Sequence, residues 1–308
     1  MHYLKKYTAL ILIISLISIF SLQPILSAAN VIPIKKINEV EAIIYGKVSS
    51  ISIIERINTL EKTLYGEKKE GSLVERAENI ADYVLAQGSR PSISFVLNSL
   101  EWTLTDDINQ GNIVDRLSDL ETNVFGKPES GSLTTRIKRL VDMSFPGGKI
   151  AGKSVVLDSN NEIRLNLIEK IDSSVAQKGE LIPFEIAKDI VVDGKLVIPA
   201  GTRSKMKVTE VEEAGQLGKP GKVQVEFLPL RAIDGTVIEL KRKEGELMTE
   251  RSRQLALGAG VLGAILFNSP LGFALSFAVK GNPEIYEVGS ELRVLTTEEN
   301  NIFALDIN

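Results

Sequence analysis

The chain has 308 residues, 44% of them hydrophobic and 25% charged, with a formal net charge of −4. These are globular values, long enough for about two domains, and they exclude a disordered, collagen-like or basic nucleic-acid-binding chain. There is no cysteine and the one histidine is His2, which excludes Ser-His-Asp and Cys-His catalysis, the usual zinc sites and haem held by His or Cys.

The chain opens with Lys5 and Lys6, then the almost wholly apolar run Ala9–Phe20, then the small residues Ser27-Ala28-Ala29 before Asn30. This is the three-part shape of a secretory signal over 1–29, and the run is short for a membrane span. An uncleaved N-terminal anchor is the other reading. Cleavage removes two Lys and no acid, leaving a charge of −6. The expectation is an exported protein of the periplasm or cell envelope, with outer-membrane association as one form of it. Without cysteine, no disulfide staples the fold and the core must stabilise it.

Residues 30–145 repeat with a period of twenty. Positions 53, 73, 93, 113 and 133 are Ile, Leu, Ile, Ile and Leu; positions 60, 80, 100, 120 and 140 are Leu, Ile, Leu, Leu and Leu. Fixed-period self-similarity signals a repeat architecture. Within a unit the apolar spacing of 4, 3 and 4, as in Ile53, Ile57, Leu60 and Leu64, marks one face of a helix. Ser52, Ser72, Ser92, Asn112 and Ser132 stand at N-cap positions, and Gly46, Gly66 and Gly126 at left-handed C-terminal positions. The pattern predicts helices of about 14 residues joined by loops of about six. It gives five units plus a leading partial one at Ile37–Tyr45, with the third irregular around Gln87–Pro91. Arg56, Arg76, Arg116 and Arg136 lie on one flank of the stripe, and Glu41, Glu61, Glu101 and Glu121 on the other. These are coiled-coil edge positions. Two packings follow: parallel helices from separate chains, or an antiparallel bundle with solvated charges. Trp102 is read as a packing residue.

Pro146-Gly147-Gly148 ends the helical pattern, and 146–153 is read as a linker. Residues 154–300 have strand character. Ser154–Leu157 and Ile163–Ile168 come first. Leu181–Ile190 and Leu196–Pro199 read as a hairpin about Asp193-Gly194. Arg203–Glu212, Lys222–Leu230 and Thr236–Leu240 follow, and 301–308 is read as a tail. Leu196–Thr202 resembles Glu284–Ser290, which suggests either a duplicated barrel half or shared turn chemistry. The loop Gly215–Lys222 lacks the Walker spacing and reads as a hairpin loop.

Residues 254–280 are read as an inserted apolar hairpin. Gln254 to Val279 carries no charge over 26 residues. Gly258-Ala259-Gly260-Val261-Leu262-Gly263 is a literal G-x-G-x-x-G, but it lies late in a β-rich region and not at the opening of a βαβ unit. A single span would put two parts of one β-domain on opposite membrane faces. A turn at Asn268-Ser269-Pro270 avoids this. Leu255, Leu257, Gly258, Gly260, Gly263, Ile265, Phe267, Phe273 and Phe277 are then the expected contacts with membrane or sister subunits. A hairpin buried on the barrel and a single span are the alternatives.

Gly179-Glu180-Leu181-Ile182-Pro183, Asp193–Thr202 and the apolar hairpin before the Gly289-containing strand pair carry a resemblance. The region Gly179–Thr296 resembles the C-terminal β-barrel domain of TrbI-type conjugal-transfer proteins of type IV secretion outer-membrane complexes. The resemblance implies a barrel that forms rings with its own copies and an inserted helical pair that reaches the outer membrane. The family carries a cytoplasmic tail, an inner-membrane helix and a proline-rich stretch; here a signal and helical repeats stand instead.

The expected fold is an α+β multidomain chain: short-helix repeats, then an all-β barrel or sandwich with the inserted hairpin. The expected function is non-catalytic envelope assembly, with homo-oligomer or envelope-protein partners, membrane contact, no nucleic acid and no cofactor. A subunit of an envelope secretion or pore-forming complex is the second reading. A carboxylate hydrolase using Asp189, Asp193 or Asp234 is the third; Asp193 and Asp234 precede Gly in expected turns, and no paired-carboxylate constellation is visible.

Overall fold

The computed structural model describes residues 32–85, 91–215, 219–242 and 282–307. The signal expected over 1–29, residues 87–90 of the irregular unit and the whole hairpin expected over 254–280 lie outside them. That hairpin includes all nine expected contact residues from Leu255 to Phe277. Among the described residues, six α-helices precede a largely antiparallel β-structure.

The helices are α1 (Ile34–Tyr45), α2 (Ile53–Tyr65), α3 (Leu73–Val84), α4 (Ile93–Thr105), α5 (Ile113–Phe125) and α6 (Leu133–Ser144). Their starts are fixed by capping. Ser52, Ser72, Ser92, Asn112 and Ser132 each accept the amide three residues on, which satisfies a donor the helix cannot. The leading unit is a full helix rather than a partial one; it starts after Pro33 with no side-chain cap. The apolar stripes of all six helices meet in one core, from Ile37 and Val40 in α1 to Ile137 and Leu140 in α6. Besides its neighbour, α1 packs on α3 and α5, and α2 packs on α6. The chain therefore returns on itself after four helices. Gly46, in the left-handed conformation after α1, lies against Asn112, the cap of α5; Gly66 lies likewise against Ser132.

The segment read as a linker is short and runs directly into the β-domain. After a 3-10 turn at Pro146–Gly148, strand β1 (Gly152–Leu157) begins. Six strands form a barrel sheet in the order β11 (Leu240–Arg242), β13 (Glu291–Thr296), β2 (Glu162–Leu167), β4 (Leu181–Ile186), β7 (Arg203–Glu212) and β8 (Lys222–Phe227), each pair antiparallel. The edge strands β8 and β11 approach each other without ladder bonds, so the barrel is nearly closed. A second sheet runs β1, β14 (Asn300–Asp306), β6 (Lys195–Ile198), β5 (Ile190–Val192) and shares the barrel's core. Two ribbons complete the domain: β9 (Leu230–Arg231) with β10 (Val237–Ile238), and β3 (Ile171–Asp172) with β12 (Ile285–Tyr286). Alternation drives the burial, as in β2, where Ile163, Leu165 and Leu167 point inward.

Two boundaries differ from the sequence reading. Leu181–Ile190 is not one strand. The chain leaves the barrel after Ile186, and the Asp193-Gly194 turn joins β5 to β6 in the second sheet, with φ of 49° and 72° as a type I′ turn requires. The tail read over 301–308 is strand up to Asp306: β14 lies between β1 and β6 and buries Ile302, Ala304 and Leu305. The two similar stretches do share a turn. Gly201 donates to the Ile186 carbonyl and Ile186 to that of Thr202; Gly289 and Ser290 hold Leu167 in the same way. The same two bonds recur at Gly179 and Glu180 with Val208, and at Asn160 and Asn161 with Thr296. A clamp found at four strand entries is shared turn chemistry.

Candidate functional site

The charges flanking the helical stripe are neither solvated nor left for a second chain. Each Glu joins the Arg fifteen residues on: Glu41 with Arg56, Glu61 with Arg76, Glu101 with Arg116, Glu121 with Arg136. The pairs are two-pronged. Nη2 meets one carboxylate oxygen at 2.5–2.8 Å, and Nε meets the other at 2.9–3.2 Å. The four carboxylates are at most 2% exposed. Each also accepts the loop amide eight residues on, from Ser49, Lys69, Asn109 and Glu129. The same Nη2 atoms reach back to Asn38, Asn58, Asn98 and Ser118. One carboxylate thus ties its own helix, the loop after it and the next helix together. A buried pair holds only when geometry and further hydrogen bonds offset desolvation, and both conditions are met at every step.

Electrostatics agree at the second step. Burial alone pushes the Glu61 carboxyl up, but the Arg76 guanidinium and the Lys69 amide outweigh it and hold the group below its ordinary value. The hydrogen bonds that Arg76 donates to Glu61 in turn raise the guanidinium above its ordinary value.

The ladder has one gap, between α3 and α4, where Ala81 and Val96 replace Glu and Arg. Here α4 turns its other face to the β-domain. The Ser92 hydroxyl, which caps α4, also donates to the Asp234 carbonyl at 2.7 Å. Asn98 Nδ2 donates to the Ile233 carbonyl at 2.7 Å while its Oδ1 accepts from Arg116. Phe95 is fully buried and meets the Phe303 ring edge-on at 5.0 Å. Around it lie Leu196, Ile233 and Leu305, with Trp102 and Ile150 at the margin. Sequence reading found Trp102 as a packing residue but missed Phe95, whose position is apolar at a point where the unit's pattern does not need it.

The three carboxylates considered for hydrolysis serve turns. Asp234 is buried and accepts the amides of Thr236 and Phe303. Asp189 accepts the Ala200 amide, and Asp193 sits in the β5–β6 turn. Among the described residues no cluster of His, Cys, Asp and Glu could hold a metal ion, and no helix is long and apolar enough to cross a membrane. Between the helical domain and the β-domain lies a two-lobed cleft. Its lobes measure about 390 and 260 Å³ and share Asn98, Gly111, Arg116 and Arg231 as walls.

No protein-family model matches the chain, and no curated protein does. A solved structure described as ComB10 of the Com type IV secretion system of Helicobacter pylori is similar at a TM-score of 0.28 and 14% identity, over 47% of this chain and 88% of that one. A likeness of that size sets neither fold nor role, which rest on the geometry above.

Proposed function

We propose that the chain is an exported, non-catalytic assembly protein of the cell envelope. A helical bundle is docked to a barrel in whose sequence the apolar stretch 254–280 falls. The observation that carries this reading is the docking of α4. Two domains joined by buried hydrogen bonds and a shared aromatic cluster act as one body, suited to holding partners in fixed geometry. The acids that could do chemistry serve as turn and loop anchors, which supports a scaffold rather than a hydrolase. The stretch 254–280 lies between Arg242, at the end of β11, and Asn282, whose carbonyl accepts the Gly221 amide beside β8. Those two flanking residues belong to the barrel near the unbonded β8–β11 edge, and an uncharged run of that length is expected to meet lipid or sister subunits.

The test is fractionation of the native protein, with and without residues 254–280, followed by mass measurement in detergent. Membrane association or assembly that depends on those residues supports the proposal. A soluble monomer, unaltered by the deletion, ends it. The TrbI-type resemblance of Gly179–Thr296 favours the second reading, a subunit of a secretion or pore-forming complex; ring-shaped assemblies in detergent would select it.

A further inference from the structure

The larger lobe of the interdomain cleft has a one-sided charge. Its cations are Arg203 and Lys205 from β7 and Arg231 from β9; Arg116 from α5 also lines it, with its charge held by Glu101. Among its described lining residues there is no Asp or Glu. This stands out in a chain of net charge −4. Arg203 and Lys205 are two apart on one strand, so they share a face, and both are exposed. The nearest acid partner of Arg203 is Glu185 at 3.8 Å, at the limit of an ion pair.

The rest of the wall narrows the ligand. The side-chain amides of Asn109 and Gln110 supply both donors and acceptors; that of Asn98 is already engaged by Ile233 and Arg116. Pro199, Leu228 and Pro229 add apolar surface. A phosphate needs donors alone, whereas an extended peptide backbone offers donors and acceptors and carries side chains between them. We propose that this cleft binds an acidic peptide segment of a partner protein, its carboxylates on Arg203, Lys205 and Arg231 and its backbone on the amides. Interdomain clefts of a few hundred Å³ are common binding sites, and the docking of α4 keeps both walls in place. The proposal is independent of the envelope reading, because it is tested on the purified chain without any membrane.

The probe is a fluorescein-labelled Glu-Ala repeat peptide titrated by anisotropy. Saturable binding that weakens with salt is expected, since exposed charge pairs are screened. The double variant Arg203→Glu/Lys205→Glu is expected to bind at least about tenfold more weakly. A control with the same charge change on exposed lysines elsewhere, Lys127→Glu/Lys149→Glu, should bind as the native chain does. Carbodiimide coupling of the unlabelled peptide to the native protein gives a readout free of any folding effect. It should join a peptide carboxylate to Lys205. Absence of saturable binding, equal binding by the Arg203→Glu/Lys205→Glu variant, or coupling only to lysines outside the cleft overturns the proposal. So does binding of inorganic polyphosphate or phosphatidylglycerol vesicles where the peptide fails.

Discussion

At the residue scale the decisive feature is a carboxylate with three obligations. Glu61 holds Arg76 by two bonds and the Lys69 amide by a third, at 1% exposure. Removing it strands a guanidinium that is itself 4% exposed. Breaking one partner of a buried pair costs far more than the pair contributes over an apolar replacement. Glu61→Ala is therefore expected to destabilise the chain by about 3–5 kcal/mol in urea unfolding. Glu78→Ala breaks the exposed pair with Lys36 and should leave the midpoint unmoved, as surface pairs generally do. The same carboxylate sets a pH dependence. Its folded value is depressed, so its stabilisation is present above the ordinary carboxylate range and is lost as pH falls through the folded value. Melting temperature should hold from neutral pH down to about 5 and then drop on further acidification. Glu61→Gln should flatten that drop; an unchanged acid profile in the variant would contradict the assignment.

At the element scale the same ladder shows what a sequence can and cannot reveal. Period, caps and apolar stripe were legible because each is a local requirement, met within one helix and its flanking loops. The pairing of Glu41 with Arg56 was not. A helical wheel places both at the stripe's edges but says nothing of the 15-residue step that folds one helix against the next. The charges therefore looked like solvated flanks. The gap is informative for the same reason. Ala81 and Val96 break the charge pattern because α4 must serve two cores, with Val96 touching both. Val96→Arg alone puts a cation where no Glu stands at 81, and a loss of roughly 1–3 kcal/mol is expected. Adding Ala81→Glu supplies the missing partner, so the double variant should recover at least half of that loss. A double-mutant cycle by chemical denaturation reads the coupling directly. Additive losses would mean that the 15-residue step does not determine pairing at this joint. The β-strands follow the same division. Those with clean alternation, such as β2 and β7, were visible. The split of β4 from β5 was not, because Leu181–Ile190 carries apolar residues up to both ends with no glycine to mark the break, although its two ends serve different sheets. The C-terminal β14 was missed as well, because its partners β1 and β6 lie far away in sequence.

At the scale of the whole molecule, the question is whether the two domains are one cooperative unit. The interface rests on one large side chain. Phe95 fills the space between α4 and β14 and also limits Gly152, where an added Cβ would stand 3.0 Å from its ring and 2.7 Å from that of Phe303. The polar contacts beside it, Ser92 to Asp234 and Asn98 to Ile233, are strengthened by the aromatic cluster that keeps water out. Each domain has its own core, one of helical stripes and one of barrel strands, so each is able to fold without the other once the contact is lost. Phe95→Ala is expected to cost about 3–5 kcal/mol locally. The loss should fall on the coupling and not on either core. Calorimetry of the native chain should show a single transition, and the variant should show two, with the helical transition retaining the acid sensitivity carried by Glu61. A variant that still melts in one step, merely at lower temperature, would place the coupling in the covalent join at 145–152 and not in α4. In that case the cleft between the domains would have no fixed walls.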